Sequence, residues 1–334
     1  MPVYNSELYI KEAIDSVLNQ TFSDFEFIII DDASTDKSVE IIKSYSDSRI
    51  QLIVKPQNSG LTNSLNYGIS IARGEYIARM DSDDISLPER FEKQVAFLDK
   101  NNEVVVCGTA IQFINSEIVI NNPEHNEDIK IKLLCGSCLA HPTVMMRKSV
   151  FDLNNILYNV KMETAEDYYL WVSLLKYGKL ANLKDVLLFY RTHDNQVSNL
   201  RNELQIKIAN ICKIKMLDYV SYNFKDEEKT VINKLYLKSK SFSFDEIKLL
   251  LKIKWRIISK NNENNFFNKK EFLKIINQQE HIIFYEYFFT RKEYDPKLII
   301  HFFQIIFQIN YKLKVKQTVG FFIKSIISYK IKST

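Results

Sequence analysis

The sequence is poor in glycine, cysteine and proline: seven, four and six residues in 334. Four cysteines (Cys107, Cys135, Cys138, Cys212) do not make a disulfide framework and fit a reducing compartment. Cys135 and Cys138 are spaced C-x-x-C, but no second ligand pair lies nearby, so they read as ordinary buried thiols rather than a zinc or redox site. The start, Met1-Pro2-Val3-Tyr4, has no charged n-region or apolar run, so no signal peptide is expected. No stretch reaches the ~18 uninterrupted apolar residues of a membrane span. The nearest, Leu298–Phe307, is broken by His301 and Gln304. Neither G-x-G-x-x-G nor G-K-[ST] occurs, so the phosphate cradles of nicotinamide and P-loop chemistry are absent. What is present, 46% hydrophobic and 26% charged residues, describes a folded chain.

The formal net charge of +4 conceals a division. Residues 1–200 carry 19 Lys+Arg against 28 Asp+Glu, and residues 201–334 carry 26 against 13. An acidic half is joined to a basic half, which suggests two domains, 1–200 and 201–334, with different tasks.

In the acidic half, helical and strand periods alternate. Ile10–Leu18, Val39–Tyr45, Leu61–Ala72 and Pro88–Leu98 read as helices, and Phe25–Ile30, Ile50–Val54 and Tyr76–Met80 as strands. This βαβα rhythm predicts an α/β domain, a parallel sheet with helices on both faces and ligands at the carboxyl ends of strands. Such a domain ordinarily opens with a strand, whereas Pro2-Val3-Tyr4-Asn5 leads straight to a helix. The first strand is therefore expected to be missing, and a chain extended upstream by one strand to be more stable. After about residue 200 the pattern is helical throughout. Ser243-Phe-Asp-Glu246 reads as a capping box, Asp295-Pro296 as the opening of the last helical stretch, and Asn261–Asn268 as a polar connector.

Two acidic clusters end predicted strands: Asp31-Asp32 and Asp81-Ser-Asp83-Asp84. Three carboxylates within four residues repel one another unless a cation or hydrogen bonds compensate. Hard oxygen ligands suit Mg²⁺ or Mn²⁺. The ordinary alternative is a solvated acidic turn that caps the helix at Pro88.

The order of motifs resolves that choice. FEFIIIDDASTDKS (Phe25–Ser38), NSGL (Asn58–Leu61) and RGEYIARMDSDD (Arg73–Asp84) are followed by AHPT (Ala140–Thr143), AEDYYLW (Ala165–Trp171) and YRTH (Tyr190–His193). Gln196-Val197-Ser198 closes the series. Residues 1 to about 200 thereby resemble family 2 glycosyltransferases of the GT-A fold, with a mixed Rossmann-like sheet. A closer resemblance, through NSGLTNSLNYGI, GEYIARMDSDDI and AEDYYLWVSLLKYGKLA, is to bacterial lipooligosaccharide and capsule N-acetylglucosaminyltransferases. It implies a metal-dependent, inverting transfer from a UDP-sugar to a lipid-linked or oligosaccharide acceptor. The first expectation is N-acetylglucosamine onto a terminal galactose, with UDP-galactose or UDP-glucose as the other donors.

By the same resemblance, Asp32, with Asp31, would hold uracil and Asp81 the ribose or a water. Asp83 would bind Mn²⁺ or Mg²⁺, with His193 touching the metal or diphosphate. Asp167 would be the general base, taking the proton of the acceptor hydroxyl. Arg191, Glu166 and Trp171 are candidates for phosphate or acceptor contacts, Trp171 having a core aromatic as its plainer reading. A nucleotidyltransferase and an inactive glycan- or membrane-binding module are the other classes open to an acidic doubly wound domain. The Glu166-Asp167 helix and the Tyr190–His193 segment argue against the first.

The basic half mixes Lys with Ile, Leu, Phe and Tyr, as in Leu249–Ile258 and Phe321–Ile331. A solvated lysine face and an amphipathic surface on anionic lipid are both consistent with it. Nucleic acid is not expected as a partner. The combined expectation is a cytoplasmic protein, peripheral on the inner face of the cytoplasmic membrane.

Overall fold

The structure is a computed structural model, and it describes residues 1–193, 202–221, 223–237, 242–290, 293–309 and 314–328. The chain forms two compact units, Met1–Cys212 and Lys213–Thr334.

The first unit runs β1 (Pro2–Val3), α1 (Ile10–Leu18), β2 (Phe27–Asp31), α2 (Ser38–Lys43), β3 (Ile50–Val54), α3 (Leu61–Ile71), β4 (Tyr76–Ala78), β5 (Ile85–Ser86) and α4 (Arg90–Lys100). It continues with β6 (Val104–Phe113), β7 (Val119–Ile120), α5 (Asn126–Leu133), β8 (Met145–Arg147), α6 (Lys148–Asn154), α7 (Glu166–Leu174) and β9 (Lys179–Tyr190). The periodic apolar positions do the burying. Ile10, Ala13, Ile14 and Val17 turn one face of α1 into the core. There they meet Phe27, Ile29 and Ile42, each large side chain contributing about 2 kcal/mol by leaving water.

The mixed sheet that the resemblance implies is present, and the parallel pairing that the βαβα rhythm suggests holds in its first part. β1, β2 and β3 are parallel, in the order β1-β2-β3. The second sheet has the order β4-β8-β6-β9-β5 and is mixed: β6 and β9 pair parallel, while β4–β8, β6–β8 and β5–β9 are antiparallel.

The strand position that the sequence leaves vacant is filled by two residues, Pro2 and Val3, opposite Ile30 and Asp31. The Met1 amine donates to Ile28 O at 2.8 Å, and burial lowers its pKa to about 5. Below this short strand β2 and β4 are not paired. A cavity of about 820 Å³ lies there, walled by Phe27, Ile28, Ile30, Tyr76, Ile77 and Ala78.

The second unit is helical. Ser243 and Glu246 form the expected capping box: Glu246 N donates to Ser243 Oγ at 3.1 Å, and Ser243 N to Glu246 Oε2 at 2.6 Å. Asp295 Oδ1 accepts from Lys297 N at 2.8 Å and opens the helix Lys297–Ile305. The polar connector is shorter than the sequence suggests. Helix Phe244–Asn264 runs through its first half, Asn265 turns left-handed at φ 53°, and Asn268 caps helix Lys269–Phe289. The core is aromatic, with Phe284, Phe288, Phe302 and Phe321 linked through ring contacts. No helix among the described residues is long and apolar enough to cross a membrane.

Candidate active site

Three strand ends converge to build the site. β4 delivers Arg79 and then Asp81, Ser82, Asp83 and Asp84. β9 ends at Tyr190 and delivers Arg191 and His193. The pairing Ile85↔Phe189 and Ser86↔Leu188 sets these two segments side by side. β2 brings Asp31 and Asp32 to the same carboxyl edge of the first sheet.

Asp81, Asp83 and Asp84 each offer a carboxylate oxygen, and these oxygens lie within 4.8 Å of one another. Their compensation is incomplete. Asp81 pairs with Arg79 at 2.5 Å. Asp83 Oδ2 lies 2.9 Å from His193 Nε2. Asp84 Oδ1 accepts from Arg191 N at 2.9 Å, but its Oδ2 is buried with no protein partner. Burial, with the charges of Asp81 and Asp83, pushes the Asp84 pKa up to about 8. Burial likewise raises Asp81; Arg79 opposes it and Asp83 adds to it. Three close carboxylates, one with an orphaned oxygen, form a donor set that fits a hard divalent cation.

Arg191 is built into this loop. Its Nε donates to Asp83 O at 2.8 Å, its Nη2 to Glu12 Oε2 at 2.5 Å, and its guanidinium sits 4.6 Å from the Tyr9 ring centroid. Tyr9 also stacks on His193, with centroids 5.4 Å apart. Arg191 is thus a brace of the acidic loop. Asp194–Ser198, the rest of that motif, lie outside the described residues.

The Asp31-Asp32 pair divides its work. Asp31 is completely buried; its Oδ2 accepts from Ser34 N at 3.1 Å and its Oδ1 has no protein partner. Through Ser34 it shapes the turn in which Ala33 takes φ 63°. Asp32 accepts from Lys55 Nζ at 2.6 Å, Ser59 N at 3.0 Å and Gly60 N at 2.8 Å. Burial would raise its pKa, but Lys55 and those two amides outweigh it and hold it below the usual carboxylate range. Asp32 therefore anchors the Asn58–Leu61 loop, where Gly60 has φ 89°, a conformation that side chains resist.

Asp167 sits at the first turn of α7, partly exposed. Burial raises its pKa, opposed by Tyr168 N–H, Arg79 and Ser137, whose Oγ is 3.4 Å away. Glu166 beside it is buried, and burial with the Asp167 charge raises it to about 7. Trp171 is 0% exposed, its ring edge toward His141 at 5.9 Å between centroids. It is a core aromatic and not an acceptor wall. His141 meets Tyr158 OH at 2.8 Å, and burial, with Arg79, lowers its pKa well below the ordinary value.

Arg79 was missed in the sequence, and it is the hub. It is 5% exposed. Burial opposes its charge, but Asp81, Tyr158 and Glu166 outweigh burial and keep it protonated. Its charge also acts on Asp84, Asp167 and His141. The signal was available: an arginine inside the apolar strand YIARM, directly before the acidic cluster. Lys55 and Tyr9 were also missed, and only the fold brings them to the site. The expectation of two buried thiols holds for Cys138 and fails for Cys135, which is exposed; both are free thiols.

Comparison with known proteins agrees with this geometry. The family model described as Glycosyl transferase family 2 matches residues 1–153. An uncharacterized glycosyltransferase of Haemophilus influenzae is 34% identical over 230 residues, 65% of this chain and 71% of that protein. The O-antigen biosynthesis glycosyltransferase WbnJ of Escherichia coli is 38% identical over 206 residues, 58% of this chain and 78% of WbnJ. The crystal structure of S. aureus TarS 1–349 in complex with UDP-GlcNAc superposes with a TM-score of 0.57 at 20% identity, covering 85% of this chain and 89% of that one. With the fold, the acidic cluster and these relatives in agreement, the chain belongs to glycosyl transferase family 2.

Proposed function

We propose that the enzyme transfers N-acetylglucosamine from its UDP-sugar to the hydroxyl of a terminal galactose on a bacterial lipooligosaccharide or capsular glycan, with inversion. The observation that carries the reading is the shared guanidinium. Arg79 lies within electrostatic reach of both the acidic cluster and Asp167, so a donor held at the cluster and an acceptor held at Asp167 meet around it. WbnJ, an O-antigen enzyme, and TarS, seen with UDP-GlcNAc, support the acceptor and donor classes.

Asp83 and His193 would hold the cation, Mn²⁺ or Mg²⁺, with Asp81 and Asp84 beside them. When bound, it supplies Lewis-acid neutralisation of the diphosphate and of the departing UDP. The chain's own groups do the rest. Arg191 and Tyr9 keep the Asp83–Asp84 loop in place. Asp32 receives uracil N3–H at the end of β2, on the loop that it anchors. Asp167 takes the acceptor proton at a carboxylate oxygen as the hydroxyl oxygen attacks the anomeric carbon. Attack opposite the leaving diphosphate inverts that centre in one displacement, so a single carboxylate base suffices. Glu166, buried beside Asp167, does not touch the acceptor.

The test is a panel of UDP-N-acetylglucosamine, UDP-galactose and UDP-glucose against a galactose-terminated acceptor with Mn²⁺, the product linkage being read by NMR. A β-linked N-acetylglucosaminyl product is expected. An α-linked product from these α-donors, or UDP release from none of them, would refute the reading.

A further inference from the structure

The last two helices of the second unit, Lys297–Ile305 and Val315–Ile326, are apolar on both sides. Their inner faces supply Leu298, Phe302, Ile305 and Phe321 to the core. Their outer faces, which in a water-soluble helix carry polar side chains, are apolar as well. Ile300 and Phe303, spaced i, i+3, are 58% and 55% exposed, and Phe307, in the 3-10 turn Ile306–Gln308 that follows, is 90% exposed. Val319, Ile323 and Ile326, spaced i, i+4, i+7, are 51%, 55% and 66% exposed. The two stripes adjoin, because Phe303 stacks on Phe322 with centroids 5.8 Å apart.

Charge identifies what covers this surface. Residues 297–334 contain seven lysines and no Asp or Glu. Lys314, Lys316 and Lys324 lie on or beside the second helix. A self-associating face has no reason to exclude acidic residues, whereas an anionic surface gives one. Helices of 9 and 12 residues are too short to span a bilayer. Side chains of this kind lie in the interface, with rings and branched chains among the acyl tails and ammonium groups at the headgroups.

We infer that the outer face of helices Lys297–Ile305 and Val315–Ile326 is a docking surface for anionic phospholipid. Membrane binding is then additive: apolar insertion and lysine attraction are separate contributions, each necessary for stable anchoring. The inference stands apart from the donor and acceptor reading, since lipid binding is measured without turnover.

The test is flotation of the full chain with vesicles of phosphatidylcholine and phosphatidylglycerol at 7:3, against pure phosphatidylcholine. Binding is expected to the anionic vesicles at low salt and to fall at least tenfold in 0.5 M salt or on neutral vesicles. Replacing exposed Phe307, Ile323 and Ile326 by Ser is expected to lower partitioning at least tenfold without change in melting temperature. Replacing Lys316 and Lys324 by Gln is expected to lower it about twenty-five-fold, at about fivefold per lysine. Light scattering of the free protein supplies the contrasting outcome. A dimer that the triple Ser variant dissociates, with no flotation of wild type, would assign the face to a second copy and overturn the inference. Equal flotation of wild type and both variants would also overturn it.

Discussion

Replacing Asp167 by Asn probes the chemistry with little structural disturbance. The change is isosteric, and the carboxylate has only a 3.4 Å contact with Ser137 and a place in the first turn of α7 to lose. Those terms are worth about 1 kcal/mol of stability together. The kinetic effect is larger. A positioned general base contributes about 10²–10⁴-fold, or roughly 3–5 kcal/mol at 1.36 kcal/mol per tenfold. The variant is therefore expected to lose two to four decades in kcat while its affinity for UDP-sugar changes less than threefold.

The pH profile adds a signature that a structural role lacks. The base works deprotonated, and burial has raised its pKa, so activity is full above that raised pKa and lost as pH falls through it. The acidic limb of kcat/KM should thus sit above the ordinary carboxylate range, near 4. Steady-state UDP release at saturating donor, with calorimetric donor binding, measures both. A kcat within tenfold of wild type, or a loss matched by equal loss of donor binding, refutes the assignment of Asp167.

Further outcomes follow from packing. Asp32→Ala leaves Lys55 without its buried partner and frees the Asn58–Leu61 loop, so the unit should lose about 3 kcal/mol and donor binding together, read by thermal melts with and without UDP. Trp171→Ala should cost roughly 3–5 kcal/mol of stability while the acceptor KM of the remaining folded enzyme is unchanged; a raised KM at wild-type stability would restore it to the acceptor site. About five alternating apolar residues added ahead of Met1, enough for one strand, should pair between β2 and β4, fill the 820 Å³ cavity and raise the melting temperature. Equal melting temperatures for the two chains would sink that expectation.

The local elements were the most legible part of the sequence. Ile50–Val54 and Ile10–Leu18 fall where periodicity put them, because an apolar stripe on one face needs no knowledge of its partner. Pairing direction was not legible. β4 and β5 join antiparallel neighbours, β8 and β9, that come far later in the chain, and strand period is the same in either direction. Among site residues, the acidic cluster was visible because three adjacent carboxylates need a reason. The burial of Asp31 was hidden, since a polar residue reads alike on either side of a pocket wall, whereas the burial of Trp171 agrees with its plainer reading as a core aromatic. Arg79 shows the reverse: a charge inside an apolar strand was conspicuous, and its meaning came only when the fold closed Asp81, Glu166 and Asp167 around it.

The central claim is that the acidic half takes up its donor through a cation at Asp83. Calorimetric titration with UDP, in Mn²⁺ and then in a chelator, tests it most directly. Wild type should bind UDP at least tenfold more tightly with Mn²⁺, and Asp83→Ala should bind equally weakly in both. UDP binding that is indifferent to Mn²⁺ in wild type, or a Mn²⁺ dependence that survives in Asp83→Ala, would contradict it.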